Sequence, residues 1–195
     1  MRRFPADLVR AQTRAVLEAW DMSPEHATIT SELMTEADLR GVDSHGVSML
    51  PSYEKQIASG QVRPRSEFRV LRESPATALI DAGSGFGHAV SAHAMNLAVD
   101  KCRALGVAVV PVVTPSHFGP AGVYSAIAAH PRCIVTVTSA TRRGLMLPTH
   151  RAADALCSNP TALAPPAARP PPPPPPAAPP STLHPPTPTP PTPVA

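Results

Sequence analysis

The chain has little from which to build a metal centre or a disulfide framework. Its three cysteines, Cys102, Cys133 and Cys157, are odd in number and far apart, with no CxxC pair and no Cys/His cluster. A structural metal and a stapled secreted scaffold are therefore not expected, and a reducing cytoplasm is the default compartment. Charge is sparse, at 16% of residues, and no apolar run approaches the ~20 residues of a membrane span. Met1-Arg2-Arg3-Phe4-Pro5 is basic but leads into an amphipathic helix, not into the apolar core of a leader. A basic stripe is missing too. Sixteen basic and fourteen acidic residues are scattered up to Asp154, so neither nucleic acid nor a membrane is an expected partner.

Proline, in contrast, is abundant and concentrated. Between Thr161 and Ala195, 17 of 35 residues are proline, Arg169 is the single charge, and no aromatic occurs. Such a segment buries too little apolar surface to offset the entropy of ordering, so residues 161–195 are expected to be disordered or polyproline II. The folding body is then residues 1 to about 160, long enough to bury roughly two thirds of its unfolded surface.

Within that body, residues 5–20 read as a helix with Val9, Thr13, Val16, Leu17 and Trp20 on one face. Ser23-Pro24-Glu25 is an N-cap sequence for a second helix, whose inward stripe is expected to be Ile29, Leu33, Met34 and Ala37. A third helix is predicted from Leu50 to Ser59. Phe68–Leu71 and Thr77–Ile80 read as the strands of a hairpin. Residues 88–105 form a further helix, with Val90, Ala94, Leu97, Ala98 and Cys102 inward and Gly106 as its C-cap. Val107–Val113 is predicted as a fully buried strand, Ala121–Ala129 as a helix and Ile134–Val137 as a strand. The fold class is thus α/β, or α+β with a mixed sheet. A helical part at 1–66 precedes a partial sheet domain at 67–160, and the sheet is expected to be left with an open face and unpaired edges.

Two segments suit chemistry. Asp43-Ser44-His45-Gly46 lies between helices; an imidazole flanked by a hydroxyl serves proton transfer near neutral pH, and a helix cap by Asp43 or Ser44 explains the same residues. Ser116-His117-Phe118-Gly119-Pro120-Ala121-Gly122 follows a strand and opens a helix, where cofactor phosphates bind, or where Ser116 merely caps the turn. Gly83-Ser84-Gly85-Phe86-Gly87 invites a Rossmann reading but fails it. The third glycine of GxGxxG would fall at His88 or Val90, and no acid ends the next strand. It reads as a structural turn. His88 and His93, five apart, do not share a helix face and are poor metal partners. Ser44 also lacks the GxSxG elbow of a hydrolase nucleophile.

Taken in order, Ala37-Asp38-Leu39-Arg40-Gly41-Val42-Asp43-Ser44-His45-Gly46-Val47, Ser116-His117-Phe118-Gly119 with Gly122 and Tyr124, and Cys157-Ser158-Asn159-Pro160 resemble the type 2 malate/L-lactate dehydrogenases. That group includes ureidoglycolate, sulfolactate and cyclic-imine 2-carboxylate enzymes, and the resemblance runs from about Pro5 to Arg169. It implies hydride transfer between NAD or NADP and a 2-oxo or 2-hydroxy acid, in a homodimer with a non-Rossmann nucleotide fold. It further implies Ser44 and His45 as catalytic residues and His117, Phe118, Gly119, Pro120 and Ala121 as cofactor contacts, with Arg40 as charge support for the substrate. Two departures stand out. The family pattern carries an arginine four residues after the histidine, where this chain has Met49. After Arg169 the family continues into more sheet and the Asp of its Ser/His/Asp relay, where this chain enters Pro170–Pro176. A truncated or frameshifted member of weak or no activity is expected. The rival reading is an interaction protein whose polyproline tail docks aromatic grooves.

Overall fold

A computed structural model describes residues 4–129, 133–140 and 160–165 of the chain. Helix α1 (Ala6–Ala19) has Pro5 at its N-cap, and its exposed side carries the Arg10–Asp7 and Arg14–Glu18 ion pairs. Only Thr13 and Leu17 are buried; Val16 is exposed, so the inward stripe is narrower than predicted. Helix α2 (Pro24–Leu39) starts where expected, with the Ser23 hydroxyl accepting from the His26 N–H at 3.3 Å.

Helix α2 is packed on two sides, against α1 and against the later helices. Its buried residues are accordingly small or flexible: Ala27, Thr30, Ser31, Met34, Thr35 and Ala37, with Ile29 and Leu33 only half-buried. The hydroxyls of Ser31 and Thr35 donate to the Thr28 and Ser31 carbonyls, at 2.9 and 2.8 Å, which satisfies them inside the core. The single stripe predicted for α2 is thus one of two buried faces. Two 3-10 turns, Asp43–His45 and Val47–Met49, lead into α3 (Leu50–Ala58). Leu17, Met22, Ala27, Met34, Tyr53, Val62 and Phe86 make one core cluster across these helices; fully burying an aliphatic side chain such as Leu17 is worth roughly 1.5–3 kcal/mol.

Strands β1 (Arg69–Glu73) and β2 (Ala78–Asp81) form the predicted antiparallel hairpin. Strand β3 (Val112–Val113) runs parallel to β2, giving a mixed sheet of order β1-β2-β3. Helix α4 (Gly87–Leu105), ended by Gly106 at φ +83°, covers one face through Ile80, Ala82, Val90 and Ala94. Of the residues expected inward on α4, Leu97, Ala98 and Cys102 are only half-buried, while His88, Ala92 and Val99 form a second buried row. The run Val107–Val113 is not the fully buried strand expected: Val107 and Val109 are each 60% exposed. Alternate residues of that run face away from α4, and among the described residues no other element covers them.

Helix α5 (Ala121–Ala129) and strand β4 (Val135–Thr138) follow close to prediction. Strand β5 (Thr161–Ala164) was not expected. It pairs antiparallel with β4, Val135 opposite Ala164 and Thr138 opposite Thr161. The proline-rich tail, read as starting at Thr161, is corrected at its first four residues. Their Thr-Ala-Leu-Ala sequence alternates exposed and half-buried positions, and the edge of β4 supplies the hydrogen bonds. Pro170–Pro176, Arg142-Arg143 and the Cys157–Asn159 segment lie outside the described residues.

Candidate active site

The site is built on the turn after α2. The Asp38 carboxylate reaches forward and accepts from the Val47 N–H at 3.1 Å. Burial raises its pKa, and the hydrogen bond from Val47 works against that rise. Any Cβ at position 46 would stand 1.7 Å from Asp38 Oδ1, so Gly46 is required for the turn to close on the carboxylate. The closed turn presents Ser44 and His45. No side chain caps either 3-10 turn or α3; the Ser44 hydroxyl instead meets His45 Nδ1 at 2.9 Å. The capping explanation of Ser44 is thereby removed. Burial lowers the His45 pKa below that of an ordinary imidazole.

The loop between β3 and α5 forms the opposite wall. It brings the His117 ring to 5.2 Å from that of His45, centroid to centroid. The Tyr53 hydroxyl, from α3, lies 2.7 Å from His117 Nδ1. Burial, and then the charge of His45, hold the His117 pKa down to about 4. Beneath them sits His88, fully buried, with its ring 6.1 Å from Tyr53 and 6.3 Å from His117. Neither of its ring nitrogens has a hydrogen-bond partner among the described residues, and burial pushes its pKa down to about 3. Among the described residues, no three His, Cys, Asp or Glu side chains are placed to hold a metal ion.

The loop is fixed from behind by the glycine turn that resembles a nucleotide fingerprint. Gly87 N–H donates to the His117 carbonyl at 3.2 Å, and Ser116 N–H to the Gly85 carbonyl at 3.0 Å. A Cβ at position 87 would lie 2.6 Å from Phe118 Cβ and 2.9 Å from the His117 oxygen. Gly87→Ala is therefore expected to cost about 1–3 kcal/mol of stability by overpacking and to displace His117 from Tyr53. Urea denaturation measures the first, and loss of the perturbed His117 titration by NMR the second. Phe118 stacks on Tyr124 at 5.5 Å and accepts the tyrosine hydroxyl on its carbonyl. Ser116 does not cap α5; its buried hydroxyl has no hydrogen-bond partner among the described residues. Past Pro120, the first turn of α5 carries no acid, and the space above Gly122 is open to 4 Å.

Ser44, His45 and His117 thus come together, with Phe118, Gly119, Pro120 and Ala121 in the loop that carries His117. No hydrogen bond or ion pair joins Arg40 to them among the described residues. It pairs with Glu36 at 2.7 Å and lines a surface groove with Arg10, Glu32 and Val123. Met49 packs on the apolar cluster around Tyr53, supplying bulk where the family pattern has charge. Tyr53 and His88 were missed in the sequence. A signal existed for His88, since His88, Ala92, Met95 and Val99 repeat at helical spacing and mark a buried row.

Comparison with known proteins gives the site its context. A profile of the family described as malate/L-lactate dehydrogenase matches residues 4–173. A malate dehydrogenase of Pyrococcus abyssi is 36% identical over 164 residues, covering 84% of this chain and 45% of that protein. An L-sulfolactate dehydrogenase of Methanocaldococcus jannaschii is 36% identical over 149 residues, covering 76% and 43%. The solved malate dehydrogenase of Pyrococcus horikoshii OT3 superposes with a TM-score of 0.79 at 37% identity, over 86% of this chain and 48% of that one. The chain spans about half the length of the relatives it matches. Fold, motif order and family profile agree, and the chain belongs to the malate/L-lactate dehydrogenase family.

Proposed function

We propose that this chain carries the proton-transfer face of an oxidoreductase that interconverts a 2-oxo acid and a 2-hydroxy acid. The observation that carries the reading is the facing pair of imidazoles, His45 and His117, 5.2 Å apart, each with a hydroxyl on its Nδ1. With Nδ1 of each ring so engaged, both Nε2 atoms are left for a substrate oxygen. In reduction His45 delivers the proton to that oxygen, and in oxidation it takes the proton back; Ser44 holds the ring in place. NAD or NADP, when bound, supplies or accepts the hydride at the oxo carbon.

The loop His117–Ala121 fits a nicotinamide nucleotide on three counts. Its helix has no acid in the first turn to repel phosphate, Gly122 leaves open space at the helix N-terminus, and the Ser116 hydroxyl has no partner among the described residues. His117, Phe118, Gly119, Pro120 and Ala121 would hold it there. The substrate is of the malate or lactate type, and Met49 in place of a guanidinium makes acid binding weak. A homodimer is the expected assembly.

The experiment is a titration of the 15N-labelled chain with pyruvate, oxaloacetate and L-malate. At least one acid is expected to shift the ring signals of both His45 and His117, and His45→Ala to abolish the response of His117. Responses confined to surface histidines such as His26 and His93 would overturn the assignment.

A further inference from the structure

We propose that Tyr53 is a positioning residue that fixes His117 as its Nε2–H tautomer, so that His117 serves as a neutral hydrogen-bond donor and leaves proton transfer to His45. This division of labour rests on the 2-oxo-acid reading for the identity of the acceptor oxygen; the tautomer itself does not.

Two groups converge on His117 Nδ1. The Gly119 N–H points at it from 3.4 Å and is able only to donate. The Tyr53 hydroxyl lies at 2.7 Å. A proton on Nδ1 would face the Gly119 hydrogen directly, so Nδ1 is the acceptor and Nε2 carries the proton. Tyr53 has no freedom to leave this arrangement. Its ring is fully buried and set edge-on between Phe86, at 5.1 Å and 76°, and His88, at 6.1 Å and 81°. The position of the hydroxyl oxygen is therefore set by packing, before any substrate binds.

Burial first, and then the charge of His45 from the 3-10 turn, keep His117 uncharged. His88 from α4 is itself held neutral by burial, and Tyr53 from α3 stays a neutral phenol because burial raises its pKa. His45 differs in what meets its Nδ1. Its partner there is the Ser44 hydroxyl, which can donate or accept, and among the described residues no backbone N–H like that of Gly119 converges on it, so its ring passes through the charged form without losing the contact. One ring is thus free to change protonation and the other is held in a single state.

The test is long-range 1H–15N correlation of the histidine rings in the full chain at pH 7, with His117 assigned from His117→Gln. A protonated Nε2 and bare Nδ1 are expected for His117. Tyr53→Phe keeps the aromatic ring and removes the hydroxyl alone; it should shift the tautomer ratio of His117 roughly tenfold toward Nδ1–H. A wild-type His117 protonated on Nδ1, or charged at pH 7, overturns the proposal, as does a Tyr53→Phe spectrum identical to wild type. If that variant does not fold, the wild-type tautomer decides alone. None of these readouts needs turnover or ligand, so a failed dehydrogenase reading and a failed tautomer assignment are told apart.

Discussion

Lowering the pH from 7 to 5 is expected to remove about 2 kcal/mol of folding stability through His88 alone. An unfolded imidazole takes up a proton near pH 6.5, whereas buried His88 resists protonation down to about 3. The unfolded state thus binds the extra proton throughout that window. The contribution is fully present above pH 6.5 and is lost as pH falls toward 3. His117, depressed to about 4 but less deeply buried, acts in the same sense with a smaller weight. The lowered Asp81 acts only near and below its ordinary 3.8, outside the window; Asp38, raised by burial, favours the fold on acidification and offsets part of the loss. Urea denaturation at the two pH values measures the sum. His88→Leu, which fills the site with an apolar side chain, should remove more than half of the pH dependence. An unchanged dependence in that variant would contradict the burial of a neutral imidazole.

The same imidazole cluster shows where sequence reading stops. Helix α2 was legible because Ser23-Pro24 carries its own capping geometry, and α5 because Pro120 and its apolar run bound it. The motif carrying Ser44 and His45 was legible as a family pattern, but whether Ser44 capped a helix depended on where its hydroxyl turned, which the chain alone does not say. Tyr53 illustrates the limit best. The helix that carries Tyr53 was legible, but nothing local predicts that its hydroxyl meets a histidine 64 residues away. The run Val107–Val113 misled for a related reason. Its β-branched composition implies a strand, yet composition does not reveal whether one face of the sheet is covered or two. In Thr161–Ala164 the proline-rich composition on its C-terminal side hid four residues that pair with β4.

Acid and stability pull against each other at this site. A lowered His45 pKa makes its imidazolium a stronger acid, so reduction should accelerate as pH falls through a value below 6.5. Over the same range His88 and His117 weaken the fold. On the proton-transfer role proposed for His45, the useful window for reduction is accordingly narrow, bounded below by unfolding and above by deprotonation of His45.

The most direct measurement of the central claim is the rate of NADH or NADPH oxidation by the purified chain with a panel of 2-oxo acids, for wild type and His45→Ala side by side. The proton-transfer role predicts slow turnover that requires the oxo acid and falls by roughly 10²–10⁴-fold in His45→Ala. A wild type with no turnover on any acid, or a variant that turns over as fast as wild type, contradicts the claim that His45 moves the proton in this chain.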